Sequence, residues 1–368
     1  MNIGLIIAGY PPDRIGGAEL QARQLAEQLV ASGHSVSVFT RRLVADREMT
    51  EMADSIQIRR RRVIPIPGLR LIWDTCVTAI QVLRQRPRPD VLLCYLTVNS
   101  GLTGIVVNFI SGIPAIISIR GNEEYRVASS RLKRLVTKIA YRRASLIAVQ
   151  TSRIRRELLE LFAQSFDEAY LAMLRLKLHV VPNGINLPEP AAVQGGNVLY
   201  VGRLIENKGV DDLLAAMADL KHLQTVIVGD GPDRGRLEEL AHGLKVSFEG
   251  LVGFEDVPRY LKEARMLVLP SRLGDGLPNV IIEAMAYGVP VIATRSAGIP
   301  DIICHGKTGF LFDPGDRDTL LKLIQALTRD DELHASIREN ALAYVSQYAW
   351  SAVIPKVESM LETARLSH

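Results

Sequence analysis

The sequence predicts an α/β protein made of two Rossmann-like domains with parallel sheets. Three observations carry this prediction. An apolar strand, a glycine turn, a helical stretch and a second strand follow one another over residues 2–40. The same succession restarts at Val198, after Leu187–Gly196 (LPEPAAVQGG), which has a linker's composition. The chain has 368 residues, 48% hydrophobic and 23% charged, which gives room for two ordinary globular units. Strands that alternate with helices favour parallel sheets covered by those helices.

Composition excludes several classes. Cys76, Cys94 and Cys304 are odd in number and widely spaced. They form neither a disulfide framework nor a metal-ligand cluster, and they fit a reducing, cytoplasmic setting. The opening MNIGLIIAGYPP lacks a basic leader and a small-residue cleavage site, and reads as a first buried strand. No apolar run reaches the roughly 20 residues a membrane span needs. The net charge of +4 is unevenly spread: residues 1–190 carry 26 Lys+Arg against 16 Asp+Glu, the remainder 18 against 24. A basic first half and an acidic second half suggest different partners for the two. Nucleic acid is not one of them, because the arginines lack interleaved aromatics and a binding motif.

In the first half, residues 2–8 read as a strand, Gly16-Gly17-Ala18-Glu19 opens a helix to about Ala31, and Val36–Thr40 is the next strand. The pair Gly16 and Gly17 lets a backbone come close to a ligand at a helix N-terminus. It is not a G-x-G-x-x-G fingerprint, so a nicotinamide cofactor is not indicated. Arg59-Arg60-Arg61-Arg62 falls at a strand edge. The helix over Leu69–Leu83 is apolar almost all round, with Trp73 and Asp74 inside it, and is expected to be buried or docked on something apolar. Strands follow at Val91–Tyr95 and Ala115–Ile119. In Arg131–Arg143, Leu132, Leu135, Val136, Ile139 and Ala140 form one apolar stripe expected to face the core. Its basic residues could meet an anionic membrane surface or a lipid phosphate. Leu146–Gln150 and Leu178–Pro182 are the last strands of this half.

In the second half, Gly202-Arg203-Leu204-x-x-x-Lys208-Gly209 follows a strand and precedes a helix that Asp211 is expected to cap. Two cations at the carboxyl end of a strand suit a diphosphate, since Arg grips two oxygens and Lys supplies a point charge. Thr225–Gly229, Val246–Glu249 and Met266–Pro270 supply further strands. The stretch Ser271–Ala293 then reads loop, helix, turn, strand. Asp275 lies between Gly274 and Gly276, Pro278 suits the first helical position, and the helix runs to Tyr287 and stops at Gly288. The N–H groups of Asn279, Val280 and Ile281 lack intrahelical partners at the positive end of the helix dipole, which makes an anion site. Asp275 and Glu283 flank that site. Carboxylates repel phosphate, so each makes sense as an acceptor of hydroxyl hydrogen bonds, from a ribose and from a sugar. Asp316-Arg317-Asp318 matches an acid-x-acid metal motif formally, but reads as helix capping. No metal site is expected.

Asp275-(seven residues)-Glu283, followed by Ala-Met-Ala-x-Gly-x-Pro-Val, resembles the acid-x7-acid signature of the retaining GT-B glycosyltransferases, glycosyltransferase family 4. Val201–Gly209, the V-G-x-G-P-like turn at Val228–Pro232, and Gly306–Leu311 extend the resemblance, which covers nearly the whole chain. It implies a GT-B architecture with two Rossmann-like domains facing across a cleft. These are an acceptor-binding domain over residues 1–187, a linker over 188–196 and a donor-binding domain over 197–348, with a C-terminal helix (349–368) crossing back to the first domain. The implied activity is transfer of a sugar from a nucleotide-diphosphate sugar to a saccharide or lipid-linked acceptor with retained anomeric configuration. No cofactor is implied, and the setting is cytoplasmic or peripheral at a membrane's inner face, in polysaccharide or glycolipid synthesis.

The resemblance assigns roles residue by residue. Glu283 would bind the ribose, Asp275 the transferred sugar, and Arg203 with Lys208 the diphosphate. Gly202, Gly276, Leu277, Asn279 and Val280 complete the donor site, and the loop of Gly16 and Gly17 lies near it. Arg120 stands where many members have histidine and cannot act as a base; it would bind a sugar hydroxyl or the leaving phosphate. Glu123 would contact the acceptor. Position 275 is usually Glu, and the motif over Val181–Asn186 usually ends in Asp rather than Asn186. A nucleotide-sugar hydrolase or epimerase on the same fold, or a non-catalytic nucleotide-binding relative, are the alternatives.

Overall fold

A computed structural model describes residues 1–14, 16–120, 131–188, 195–272, 277–296 and 298–367. The chain divides into two units, Met1–Gly184 with Trp350–His368, and Ile185–Ala349.

The first unit runs β1 (Asn2–Ile6), α1 (Gly17–Ala31), β2 (Ser35–Arg41), β3 (Thr50–Ala53), β4 (Ile56–Arg61), α2 (Pro67–Arg84) and β5 (Val91–Tyr95). A π-helical turn (Leu96–Gly101) then leads into α3 (Leu102–Ser111), β6 (Ala115–Ser118), α4 (Arg131–Arg143), β7 (Leu146–Val149), α5 (Ser152–Ala163), α6 (Glu168–Lys177) and β8 (Leu178–Val180). The sheet order is β3-β4-β2-β1-β5-β6-β7-β8. It is parallel except where β3 pairs antiparallel with β4. All five residues of β5 are buried, as expected of a central strand covered on both faces.

The second unit runs β9 (Asn197–Val201), α7 (Val210–Met217), β10 (Thr225–Val228), α8 (Arg234–Leu240), β11 (Val246–Gly250), α9 (Val257–Glu263) and β12 (Ala264–Leu269). It continues through α10 (Asn279–Ala286), β13 (Val291–Thr294), β14 (Phe310–Phe312), α11 (Arg317–Arg329) and α12 (Asp331–Val345). Its six strands are all parallel, in the order β11-β10-β9-β12-β13-β14.

The last helix, α13 (Trp350–Leu366), belongs to the first unit. It buries Trp350, Val353, Ile354, Val357, Met360 and Leu361 in the same core as Leu5, Leu93 and Ile116. Each large apolar side chain so buried contributes about 1.5–3 kcal/mol. The ring of Trp350 occupies the space beside Gly184: a Cβ there would meet it at 2.3 Å. Ile185 and Ala349 form a β-bridge, and the Ile185 amide donates to the Tyr348 carbonyl at 2.9 Å. The chain thus enters and leaves the second unit at one place.

Several expectations change. The arginine run does fall at the end of a strand, but β4 lies inside the sheet between β3 and β2, and Arg60 and Arg61 are buried. Arg60 pairs with Glu51 at 2.7 Å and Asp13 at 3.6 Å, and Arg61 with Asp74 at 3.0 Å. The helix at 69–83 buries polar residues beside apolar Ala79 and Val82. Asp74, Thr78 and Gln85 beyond its end are buried, while Leu69, Ile72, Trp73 and Ile80 are exposed. In α4, Thr137, Ala140 and Tyr141 are buried, while Leu135 and Ile139 of the expected core stripe are about half exposed, at 54% and 51%. Gly209, not Asp211, is the N-cap of α7. Asp316 does cap α11, accepting from the Thr319 amide at 3.0 Å and hydroxyl at 2.6 Å.

Candidate functional site

In the second sheet the strand order reverses between β9 and β12. Open parallel sheets bind ligands outside the carboxyl ends of the strands at such a switch point. The two segments that leave these strands are Gly202–Gly209 and Pro270–Pro278, which are the two the sequence singled out. They are tied together. The Arg272 amide donates to the Asn207 carbonyl at 2.8 Å. Gly209 has φ +64°, and a Cβ on it would meet the Pro270 carbonyl oxygen at 2.2 Å, so only glycine fits both the conformation and the approach.

The first of these loops is also braced from β10. The Gly202 amide donates to the Val228 carbonyl at 2.9 Å, and the Leu204 amide to the Asp230 carbonyl at 2.9 Å. Gly229, at φ +134°, lies so close that a Cβ would meet the Gly202 carbonyl oxygen at 1.9 Å. The Gly229-Asp230-Gly231 turn therefore fixes the backbone that carries Arg203. Arg203 is exposed, and Lys208 partly so, at the end of a short 3-10 turn (Glu206–Lys208).

The helix α10 starts one residue later than expected. Pro278 is its N-cap rather than its first residue, and no side chain caps it. The Ile281 amide turns back to the Pro278 carbonyl at 3.2 Å, so it is engaged within the first turn. Leu277 is buried in the core and Val280 packs against it. Their part in any donor site is therefore through the backbone. Glu283 lies one turn into α10, and desolvation pushes its carboxyl up to about 7 with no opposing cause. A carboxyl in this state is suited to uncharged hydroxyl partners. Asp275 and Gly276 lie outside the described residues, as does Glu123.

In the first unit, Gly16 caps α1 in an extended conformation and Gly17 begins that helix. Arg120 follows β6 at the carboxyl edge of the sheet. Its Nε donates to Ser118 Oγ at 2.9 Å, its other arm donates to Asn183 Oδ1, and its guanidinium lies over the Tyr95 ring at 5.1 Å. Asn183 Oδ1 also accepts from Gln150 Nε2 at 2.9 Å. Arg120 is thus a held cation rather than a loose surface arginine.

Two residues that support the candidate site residues escaped the sequence reading. Asn183 orients Arg120, and Arg272 bonds Asp212 at 2.8 Å and Asp211 at 2.9 Å. Asp212 is buried and bonded a second time by Arg317 at 2.7 Å. The signal for Arg272 was Asp211-Asp212 itself, since an acidic pair beside a predicted phosphate loop calls for cations to offset it.

Comparison with known proteins bears on both units. Residues 16–184 match the glycosyl transferase 4-like domain, and residues 195–330 match glycosyl transferases group 1. The sulfoquinovosyl transferase SQD2 of Arabidopsis thaliana is 34% identical over 165 residues, which span 44% of this chain and 32% of that one. Sucrose-phosphate synthase from Thermosynechococcus elongatus superposes with a TM-score of 0.83 over the full length of both chains at 23% identity. Anabaena HepE, solved in complex with UDP-glucose, superposes with a TM-score of 0.75 over 100% of this chain and 99% of its own at 21% identity. With a glycosyltransferase domain matched in each unit and the two-sheet architecture shared along its whole length, this chain is a glycosyltransferase of the GT-B type.

Proposed function

We propose that the protein transfers a sugar from a nucleotide-diphosphate sugar to a saccharide or lipid-linked acceptor, with retention of anomeric configuration, in the synthesis of a polysaccharide or glycolipid. The observation that carries this reading is the convergence of three segments at the switch point of the second sheet: the braced loop of Arg203 and Lys208, the segment beginning Ser271-Arg272, and the start of the helix that bears Glu283. Arg203, Lys208 and the amides of Asn279 and Val280 offset the charge that grows on the leaving diphosphate. Such electrostatic stabilisation is usually the largest single contribution to a reaction of this kind. Glu283 accepts hydrogen bonds from the ribose hydroxyls, and Asp275 from hydroxyls of the transferred sugar. Gly202 and Gly276 admit the donor backbone-close, and the reading needs no metal.

On the first unit, Arg120 binds an acceptor hydroxyl or the departing phosphate, and Ser118, Asn183 and Tyr95 keep it oriented. Glu123 contacts the acceptor, and Gly16 and Gly17 let a phosphate come near the start of α1. The UDP-glucose held by HepE makes uridine conjugates the first donors to try.

The test is a thermal-shift panel of UDP, GDP, ADP and their sugar conjugates. A ligand at a hundred times its Kd adds about 2.7 kcal/mol to the native state. One nucleotide is expected to stand out, and Glu283→Ala to abolish its shift. No shift from any nucleotide in the wild type would overturn the donor assignment.

A further inference from the structure

An arginine beside a phosphate loop invites assignment as a phosphate ligand, but the guanidinium of Arg272 is engaged elsewhere. Its Nε donates to Asp212 Oδ2 at 3.0 Å, and its Nη2 lies 2.8 Å from the same oxygen and 2.9 Å from Asp211 Oδ2. Its third nitrogen, Nη1, lies 3.5 Å from the Glu206 carbonyl, and its backbone amide donates to the Asn207 carbonyl at 2.8 Å. One residue therefore holds the turn that ends in Lys208 by two carbonyls, and the start of α7 by two carboxylates.

The two acids are held from other sides as well. Asp212 is 2% exposed, and its Oδ1 accepts from Arg317 Nε at 2.7 Å, at the start of α11. Asp211 lies 3.7 Å from Arg236 of α8, which bonds Asp233 at 2.7 Å. Buried carboxylates keep their charge only where cations face them. A rigid guanidinium fork can bond two neighbouring carboxylates at fixed angles, whereas an ammonium is a point charge. Gly209 lies between these contacts, and its Cα is pressed against the Pro270 carbonyl. The segments leaving β9 and β12 are thus fastened on both sides of that close approach.

We infer that Arg272 is a positioning residue for the donor's diphosphate. Its fork on Asp211 and Asp212 sets the loop of Arg203 and Lys208 against the segment leading to α10, so that both meet one diphosphate group. Arg272 itself touches no substrate. The inference rests on the donor-site reading above, and adds to it a residue that acts through others.

The test titrates the full chain with UDP and UMP, GDP and GMP, and ADP and AMP, below the melting temperature of each variant, and takes the affinity ratio for the pair that binds. That ratio isolates the second phosphate, whereas a loss of folded protein lowers both affinities alike. Arg272→Met is expected to cut the ratio roughly tenfold, as when a hydrogen bond to a charged group is set out of line. Arg272→Lys keeps the charge and should not restore the ratio. Asp212→Asn gives a test of sign. It removes a negative charge near the diphosphate, which by Coulomb's law alone would tighten the diphosphate, whereas a broken clamp loosens it. The double variant Arg272→Met/Asp212→Asn should be no worse than Arg272→Met, because partners in one contact are not additive. A preference for diphosphate that survives Arg272→Met, is restored in full by Arg272→Lys, or grows in Asp212→Asn would overturn the inference and leave the donor reading standing. A wild type that prefers the diphosphate in none of the pairs would overturn both.

Discussion

Glu283 is a carboxyl in surroundings that disfavour its charge. Burial raises it to about 7, whereas in the unfolded chain it would titrate near an ordinary glutamate. The folded state therefore holds the proton more tightly. The neutral form fits both states below the unfolded value, and stability is lost as pH rises towards and through 7. The difference is of the order of 3 kcal/mol at alkaline pH. Glu283→Gln keeps the shape and removes the ionisation. It is expected to melt with the wild type at pH 4 and well above it at pH 8, while losing most nucleotide binding. Melting curves at the two pH values check this; a difference independent of pH would mean that the carboxyl is not desolvated. A protein that keeps an acid in such a place forgoes stability for a function. The place of residue 283 one turn into α10 was legible in the sequence from the proline and loop before it. The support of Arg120 was not. Asn183 and Tyr95 reach it from segments 63 and 25 positions away by residue number, Gln150 bonds Asn183 in turn, and no local pattern announces them.

At the scale of elements, the glycine turn after β10 sets the loop after β9. Gly229 holds φ +134° with its Cα against the Gly202 carbonyl. Gly229→Ala must strain its own backbone and displace Gly202, and is expected to cost about 2 kcal/mol or more of stability. It should also weaken nucleotide binding beyond what lost stability explains, because the backbone under Arg203 moves. Urea denaturation and nucleotide titration of the variant, both below its melting temperature, measure the two effects separately. Most of the second sheet was readable from the sequence because β9, β10, β12 and β13 are short apolar runs, whereas β14 was not read as a strand. The faces of the helices on the first sheet were not. Leu69, Ile72, Trp73 and Ile80 have the spacing of a core stripe, and spacing alone cannot say which way the stripe points. Asp74 decides it by bonding Arg61 and Arg41, 13 and 33 residues away, on the inside. α4 deceived for the same reason: small Thr137 and Ala140 pack inward because Tyr141 fills that side, leaving Leu135 and Ile139 out.

At the scale of the molecule, the first unit is completed by the last helix. Removing residues 350–366 would uncover the sheet face that Trp350, Val353, Ile354, Val357, Met360 and Leu361 cover. At about 1.5–3 kcal/mol for each large side chain, that loss matches or exceeds the 5–15 kcal/mol by which domains are usually stable. A chain ending at Ala349 is expected to lose the unfolding transition of the first unit and to keep that of the second, with its nucleotide response. Calorimetry with and without UDP distinguishes the two. A truncated chain that still shows both transitions would mean that α13 is dispensable to the first core.

The place of α13 also bears on how the molecule is made. A ribosome delivers the chain in order, and domains generally fold as units when their residues have emerged. Residues 1–184 emerge first, yet the sheet face that α1 covers in part must wait for Trp350–Leu366 before it is fully covered. The later unit, residues 185–349, needs nothing beyond itself and closes on the Ile185–Ala349 bridge. Birth order and order of completion are therefore opposed in this protein: the half synthesised second is the first whose residues are all present, and the half synthesised first lacks part of its core until the last helix emerges.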